Sequence, residues 1–272
     1  MGLSDSTVSE LAASLHQAER TRTQVKQFSL KHSDITIQDA YTVQREWVGI
    51  KMAEGHQAIG HKIGLTSQAM QRSSNISEPD YGVLLDDMLF PEGMEIPFER
   101  FIVPRIEVEL AFILKDNLRG PDCTIYDVLR ATEYVRPALE IIDARIQQID
   151  PETKVTRKVF DTISDNAANA GIILGGRPVR PLDFDLRWVS AILYRNAVVE
   201  ESGVAAAVLN HPANGLTWLA NKLSLHGVEL EAGQIVLGGS FTAPVPVRPG
   251  DTFHADYGPL GSIPCHFDEK GA

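Results

Sequence analysis

Two cysteines, Cys123 and Cys265, are all that 272 residues contain. No CxxC pair and no His/Cys cluster accompanies them, so nothing points to zinc, and reduced structural thiols in a cytoplasmic protein are expected. No apolar run is long enough to span a bilayer, and the polar start Met1 to Thr7 lacks the basic region and apolar segment of a secretory signal. Positive charge is also scarce. With 25 Lys plus Arg against 36 Asp plus Glu, the net charge is -11, which argues against a nonspecific nucleic-acid surface and requires an anionic substrate to meet local positive charge or a metal. The glycine-rich segment Gly238 to Thr242 lacks the GK[ST] ending of a phosphate loop. Regular strand-helix alternation is missing too, which excludes a Rossmann arrangement.

What is present is ordinary for a globular protein: 43% hydrophobic and 22% charged residues, enough for one large core or two small domains. Thr7 and Glu10 have capping-box spacing ahead of Leu11, Ala12, Leu15 and Ala18, predicting a helix over Val8 to Gln27. A second helix is expected after Thr36, with Asp39 at its third position and Trp47 as a core anchor. Residues 1–55 thus read as an N-terminal helical cap or packing region and residues 56–272 as a β-rich domain. Within the latter, Thr124 and Asp127 cap a short helix, Val204 to Leu209 is an apolar helix candidate, and Pro212 starts a helix burying Leu216, Leu219, Ala220 and Leu223. Strands are expected at Ala58 to Leu65, Trp188 to Tyr194, Gln234 to Leu237, Val245 to Val247 and Thr252 to Tyr257.

The chemistry gathers on two further strands. In Arg105 to Leu114 the apolar residues Ile106, Val108, Leu110, Phe112 and Leu114 recur with period two, which sends Glu107 and Glu109 together to the other face. Glu140 stands inside a second apolar run, between Leu139 and Ile141. Glu107 and Glu109 are compatible with a solvated sheet face. Glu140 has little polar company, and three buried carboxylates would need a cation or proton to compensate them. Oxygen ligands suit Mg²⁺ or Mn²⁺. Arg136 and Arg145 are candidates to balance this acidic centre.

Pro104 to Leu110, the run Pro137-Ala-Leu-Glu-Ile-Ile-Asp143, and Asp161-Thr-Ile-Ser-Asp-Asn-Ala-Ala-Asn-Ala-Gly171 resemble the fumarylacetoacetate hydrolase superfamily. The likeness runs from about Leu15 to Phe267 and is strongest to its branch of 2-oxo-alkenoate hydratases and oxalocrotonate decarboxylases. It implies an α+β fold, a rolled mixed β-sandwich with peripheral helices, in which Glu107, Glu109 and Glu140 bind Mg²⁺ or Mn²⁺. It implies hydration of a small anionic 2-oxo acid in aromatic catabolism, most nearly 2-oxohept-4-ene-1,7-dioate. Action on 2-oxopent-4-enoate, decarboxylation of oxalocrotonate, and a noncatalytic metal-binding assembly role stay open. Homo-oligomers, and association with a decarboxylase relative, are implied as well.

The remaining candidates carry two readings each. Lys62, between Gly60 and Gly64, reads as a surface lysine from its neighbours, whereas the resemblance places it in the active site. Asp80, after Pro79, is turn chemistry by itself and a proton carrier beside Lys62 by resemblance. Arg72, in the polar stretch Thr66 to Asp80, is either exposed or a contact for a distal carboxylate. Ser164 is part of a helix entrance or a substrate contact, and Asn166 a support for the local backbone. The resemblance sets Ser240 and Thr242 beside the substrate carboxylate, while His211 reads as structural.

Overall fold

The computed structural model describes residues 2–73 and 76–270. Of the polar stretch 66–80, residues 74 and 75 therefore lie outside the described residues.

Helix α1 (Asp5–Thr21) begins one turn earlier than its sequence spacing suggests, because the Ser4 hydroxyl accepts the Thr7 backbone N–H and takes the capping position. It also stops short of Gln27. Arg22 adopts the left-handed conformation, and Val25 leaves to bridge Ile146. After α2 (Phe28–Lys31), α3 (Ile37–Ala53) starts at the expected Thr36/Asp39 capping box. The helices α1 and α3 bury Leu11, Leu15, Val43 and Trp47 in one apolar cluster, with Trp47 only 1% exposed. Then come α4 (Gln68–Ser73), α5 (Ile125–Ala131) behind its Thr124/Asp127 box, α6 (Val159–Ser164) and α7 (Ala213–Ser224), which starts after Pro212 and buries Leu216, Leu219, Ala220 and Leu223 as expected. The helix expected over Val204 to Leu209 does not form. Val204 is still paired to Ser190 at the end of β9, residues 205–207 make a single 3-10 turn, and Leu209 and Asn210 take positive φ, which breaks any helical run before Pro212.

Among the described residues the strands are β1 (Ala58–Gly64), β2 (Asp80–Leu85), β3 (Leu89–Phe90), β4 (Glu95–Ile96), β5 (Arg105–Leu114), β6 (Thr132–Ile142), β7 (Asn169–Leu174), β8 (Ser190–Arg195), β9 (Val198–Val204), β10 (Ile235–Leu237), β11 (Val245–Pro246), β12 (Thr252–Asp256) and β13 (Ser262–Phe267). Strand β8 opens after Trp188 rather than at it, because residues 186–188 form a 3-10 turn that leaves Trp188 exposed. A mixed, curled sheet runs β2-β1-β10-β5-β6-β7-β3 with β11 also on β5, and a second sheet runs β4-β13-β12-β8-β9. Phe112 and Val135 from the first share a core with Phe253, Ile263 and Phe267 from the second. The architecture is the expected α+β one, a rolled mixed sheet with peripheral helices. Cys123 and Cys265 are buried and free. Among the described residues no helix is long and apolar enough to cross a membrane.

One irregularity positions the site. Strand β6 pairs β5 along its whole length, so β10 at Ala111–Ile113 and β11 at Arg105–Ile106 share the other flank of β5. Between them residues 238–244 leave the sheet, and β5 has a loop for a neighbour beside Glu107 and Glu109.

Candidate active site

Cross-strand register gathers the carboxylates. Glu107 of β5 stands directly opposite Glu140 of β6, and Glu109 follows two residues on, so all three share one sheet face. Their ligand oxygens lie within 4.8 Å of one another. Asn169 donates its Nδ2 to Glu140 Oε1 at 2.8 Å, and Lys62 Nζ approaches the same oxygen at 3.3 Å. Gly239 N–H donates to Glu109 Oε2 at 2.9 Å. Glu140 Oε2 is buried without a partner.

Lys62 and Asp80 meet through a glycine. Asp80 pairs with Gly64 in the β1-β2 ladder, and a Cβ on Gly64 would fall 2.2 Å from Asp80 Oδ1 and 3.4 Å from Lys62 Nζ. Only a residue without a side chain leaves both groups this space. Both Asp80 oxygens are buried and unpartnered.

The electrostatics follow from that crowding. Burial opposes the charge on Lys62, but Glu140, Asp80, Glu107 and Glu109 together outweigh it and hold the ammonium above the ordinary lysine value. Burial, then Glu140, push Glu107 up to about 7, and burial with Glu140 and Glu107 pushes Glu109 well above the carboxylate range. Burial also raises Asp80, against the pull of Lys62. With the three glutamates ionised, Lys62 alone does not neutralise the group, which leaves negative charge for a cation to meet, and the donors are the hard oxygens that Mg²⁺ or Mn²⁺ takes. The residues present fit such an ion. A second acidic group, His56, Asp86 and Asp87, has similar spacing, but there Lys51 and Arg100 already pair with Asp87.

The site floors a cavity of about 420 Å³ lined by Lys62, Asp80, Glu107, Glu109, Ser240 and Thr242 among others. Ser240 and Thr242 tie the 238–244 loop to β5: Ser240 Oγ donates to Val108 O at 3.3 Å and Thr242 Oγ1 accepts Val108 N–H at 3.3 Å. The wall at Ala167 and Ala168 comes from an unusual turn in which Asn166, Ala167 and Ala168 all have positive φ, a conformation that costs L-residues energy unless the surroundings impose it. Asn166 imposes it as a surrogate strand partner, exchanging 2.8 and 2.9 Å hydrogen bonds with the Val83 backbone. Gly82 lets the turn approach, for a Cβ there would sit 2.6 Å from Asn166 O.

Lys62, Asp80, Glu107, Glu109 and Glu140 are thus brought together, with Ser240 and Thr242 on the same cavity. Two candidates stand apart. Arg72 is exposed and donates Nε to Gln68 O in its own helix, and Ser164 is fully buried in α6 with its hydroxyl unpartnered, off the cavity wall. Arg136 and Arg145 do not balance the carboxylates. Arg136 Nε donates to Gly175 O, and Arg145 is bound to Asp165. The compensating cation is Lys62. Sequence reasoning missed Asn169, the partner of Glu140, and Arg157, which lines the cavity; Arg157 sits in a polar stretch that carries no period. His211 is structural as expected, its Nδ1 accepting Ala213 N–H at the start of α7.

No protein-family profile matches the chain. Single proteins do. It is 68% identical over 257 residues to 2-oxo-hept-4-ene-1,7-dioate hydratase of Escherichia coli, covering 94% of this chain and 96% of that protein. The structure of 4-oxalocrotonate decarboxylase from Pseudomonas putida G7, complexed with magnesium and adipate, superposes with a TM-score of 0.93 at 34% identity over 97% of this chain and 98% of that one. Fumarylacetoacetate hydrolase from Exiguobacterium antarcticum, at 15% identity and a TM-score of 0.58 over 78% of this chain and 76% of that one, shares the fold. Matched nearly end to end by a hydratase at 68% identity and a decarboxylase at 34%, the chain belongs to the 2-oxo-alkenoate hydratase and decarboxylase branch of the fumarylacetoacetate hydrolase superfamily.

Proposed function

We propose that the protein is a divalent-metal-dependent hydro-lyase that adds water to 2-oxohept-4-ene-1,7-dioate, giving the 4-hydroxy-2-oxo diacid. The observation that carries this is the cluster of Glu107, Glu109 and Glu140 with Lys62 and Asp80, at a cavity that all of them but Glu140 line, in a chain 68% identical to a hydratase of that diacid. A relative complexed with magnesium and a six-carbon diacid supports both metal and substrate class.

Glu107, Glu109 and Glu140 would hold Mg²⁺, or Mn²⁺ in its place, which would supply a Lewis acid for a 2-oxo acid. Lys62 keeps positive charge beside the C2 oxygen as enolate charge develops. Asp80, with both oxygens unengaged, takes a proton from C3 and returns it at C5, which moves the double bond into conjugation with the C2 carbonyl. Water then adds at C4 and C3 regains a proton, so the product differs from the substrate by one water. Ser240 and Thr242 hold the loop against which the substrate lies, and Ser164 supports the wall from behind.

The exposed Trp188, Val198 and Val199 around the β8-β9 hairpin support a homo-oligomer, and a partner decarboxylase of the same branch is a candidate for the same surface. A cytoplasmic setting suits the two free thiols. Residues 1–55 serve as the packing layer and residues 56–272 as the catalytic unit.

The test is a metal-supplemented assay on 2-oxohept-4-ene-1,7-dioate with the product identified by mass. Gain of one water, abolished by chelation, is expected. Release of CO₂ from oxalocrotonate with no hydration would instead make the chain a decarboxylase, and metal binding without turnover of either acid would leave the noncatalytic role.

A further inference from the structure

A second cavity of about 700 Å³ opens beside the first, and Glu107 and Arg157 stand in the wall common to both. Its charge is opposite in sign to that of the protein. Arg105, Arg157 and Lys158 line it and Glu107 is the one carboxylate among its lining residues, in a chain of net charge -11.

Arg157 is the unusual member. Its Nη1 is buried without a hydrogen-bond partner, and burial lowers its pKa against the field of Asp165, Asp161 and Asp80. Those first two carboxylates are committed elsewhere. Asp161 accepts Ser29 N–H, the Ser29 hydroxyl and Lys158 N–H, and Asp165 is bound by Arg145. Arg105 adds a second guanidinium close enough for its charge to disfavour that of Arg157. Two neighbouring guanidiniums, one with a buried and unused nitrogen, form a fork for a planar anion.

We propose that Arg157, with Arg105 beside it, forms the subsite for the carboxylate at the far end of a dicarboxylic 2-oxo acid whose 2-oxo end lies on the glutamate cluster. This rests on the diacid reading given above and assigns the distal contact to Arg157 rather than to the exposed Arg72. Arg157 is a specificity residue: it selects diacids over monoacids and takes no part in the proton transfers.

The experiment compares Arg157→Gln, Arg157→Lys and Arg72→Gln in the full-length, Mg²⁺-loaded protein. Hydration is followed on 2-oxohept-4-ene-1,7-dioate and on 2-oxopent-4-enoate, and the dissociation constants of saturated 2-oxoheptanedioate and 2-oxoheptanoate are measured beside it. Arg157→Gln should lower kcat/KM for the diacid about 100-fold and for the monoacid less than about threefold. It should also erase the preference for 2-oxoheptanedioate, with Arg157→Lys recovering part of it and Arg72→Gln leaving it intact. Equal losses on both substrates in the Gln and Lys variants, or a diacid-selective loss in Arg72→Gln instead, would overturn the subsite. The binding arm separates the two ideas. Wild-type protein that hydrates neither acid yet binds the diacid better through Arg157 would sink the hydratase reading and keep the subsite, whereas hydration with no Arg157-dependent preference would do the reverse.

Discussion

The protein buries two ionic groups about equally deeply and treats them in opposite ways. Under Trp47, Arg145 is 2% exposed, stacks its guanidinium 4.8 Å from the indole centre, bonds to the Asp165 carboxylate and donates its remaining nitrogens to Asp165 O and Asn169 O at 2.7 to 3.2 Å. On the β5-β6 face, Asp80 has two idle oxygens and Glu140 one, and Lys62 is the cation paired with Glu140. A buried charge with every hydrogen bond made is a fastener; one with groups left over is waiting for something the chain does not supply.

The sharpest way to break that comparison is to neutralise one member of each group. Glu109→Gln keeps shape and the bond from Gly239 but removes one ligand charge and one repulsion. It should lower kcat/KM by about 10⁴-fold, on the order of 5 kcal/mol in transition-state stabilisation. The Mg²⁺-induced rise in melting temperature should vanish, while the metal-free protein keeps its stability or gains slightly. A metal-free protein that unfolds would mean that the cluster is a fastener after all. Arg145→Met should behave inversely. It strands the buried Asp165 carboxylate and should cost about 4 kcal/mol in denaturant unfolding, with the activity of the folded fraction within about tenfold of wild type.

His61 offers a smaller test, from the residue beside Lys62 in β1. Burial is the main cause that lowers its pKa to about 4, and its Nδ1 is unpartnered. The unfolded chain takes up this proton near pH 6.5 and the folded one only near pH 4. The stability held by neutral His61 is therefore complete above pH 6.5 and declines as pH falls from there towards 4. Relative to His61→Gln, wild type should lose about 3 kcal/mol across that window. A constant difference between the two proteins would show that His61 does not stay neutral.

Gly64→Ala is the mildest perturbation. Its Cβ displaces the Asp80 carboxylate and crowds Lys62, and the atoms nearest to it belong to these two residues, so kcat should fall about 100-fold while Mg²⁺ affinity, read by calorimetry, holds. A loss of metal affinity of similar size would place Asp80 among the ligands.

Much of this was legible in the residues because it rests on local periods. Period two placed Glu107 and Glu109 on one face, and the Thr36/Asp39 and Thr124/Asp127 boxes marked two helix starts to the residue. Other boundaries slipped where two local signals competed, as with Ser4 and Thr7. The helix expected over Val204 to Leu209 failed because Val204 pairs in β9 and Leu209 and Asn210 turn left-handed. Arg157 escaped notice because nothing about an arginine in a polar loop announces that it will fold inward, and Ala167 and Ala168 because alanine has no preference for positive φ.

By itself, then, the sequence determined the strand period, the helix caps, the acidic balance and the three carboxylates that could not all be buried uncompensated. Tertiary structure decided the rest: that Glu140 faces Glu107 across a ladder, that Lys62 and not Arg136 or Arg145 is the compensating cation, and that Arg157 rather than Arg72 reaches the cavity. Register and burial are set by packing among elements distant in the chain, and the Coulomb energy between two groups depends on their separation in space and on the water removed from around them.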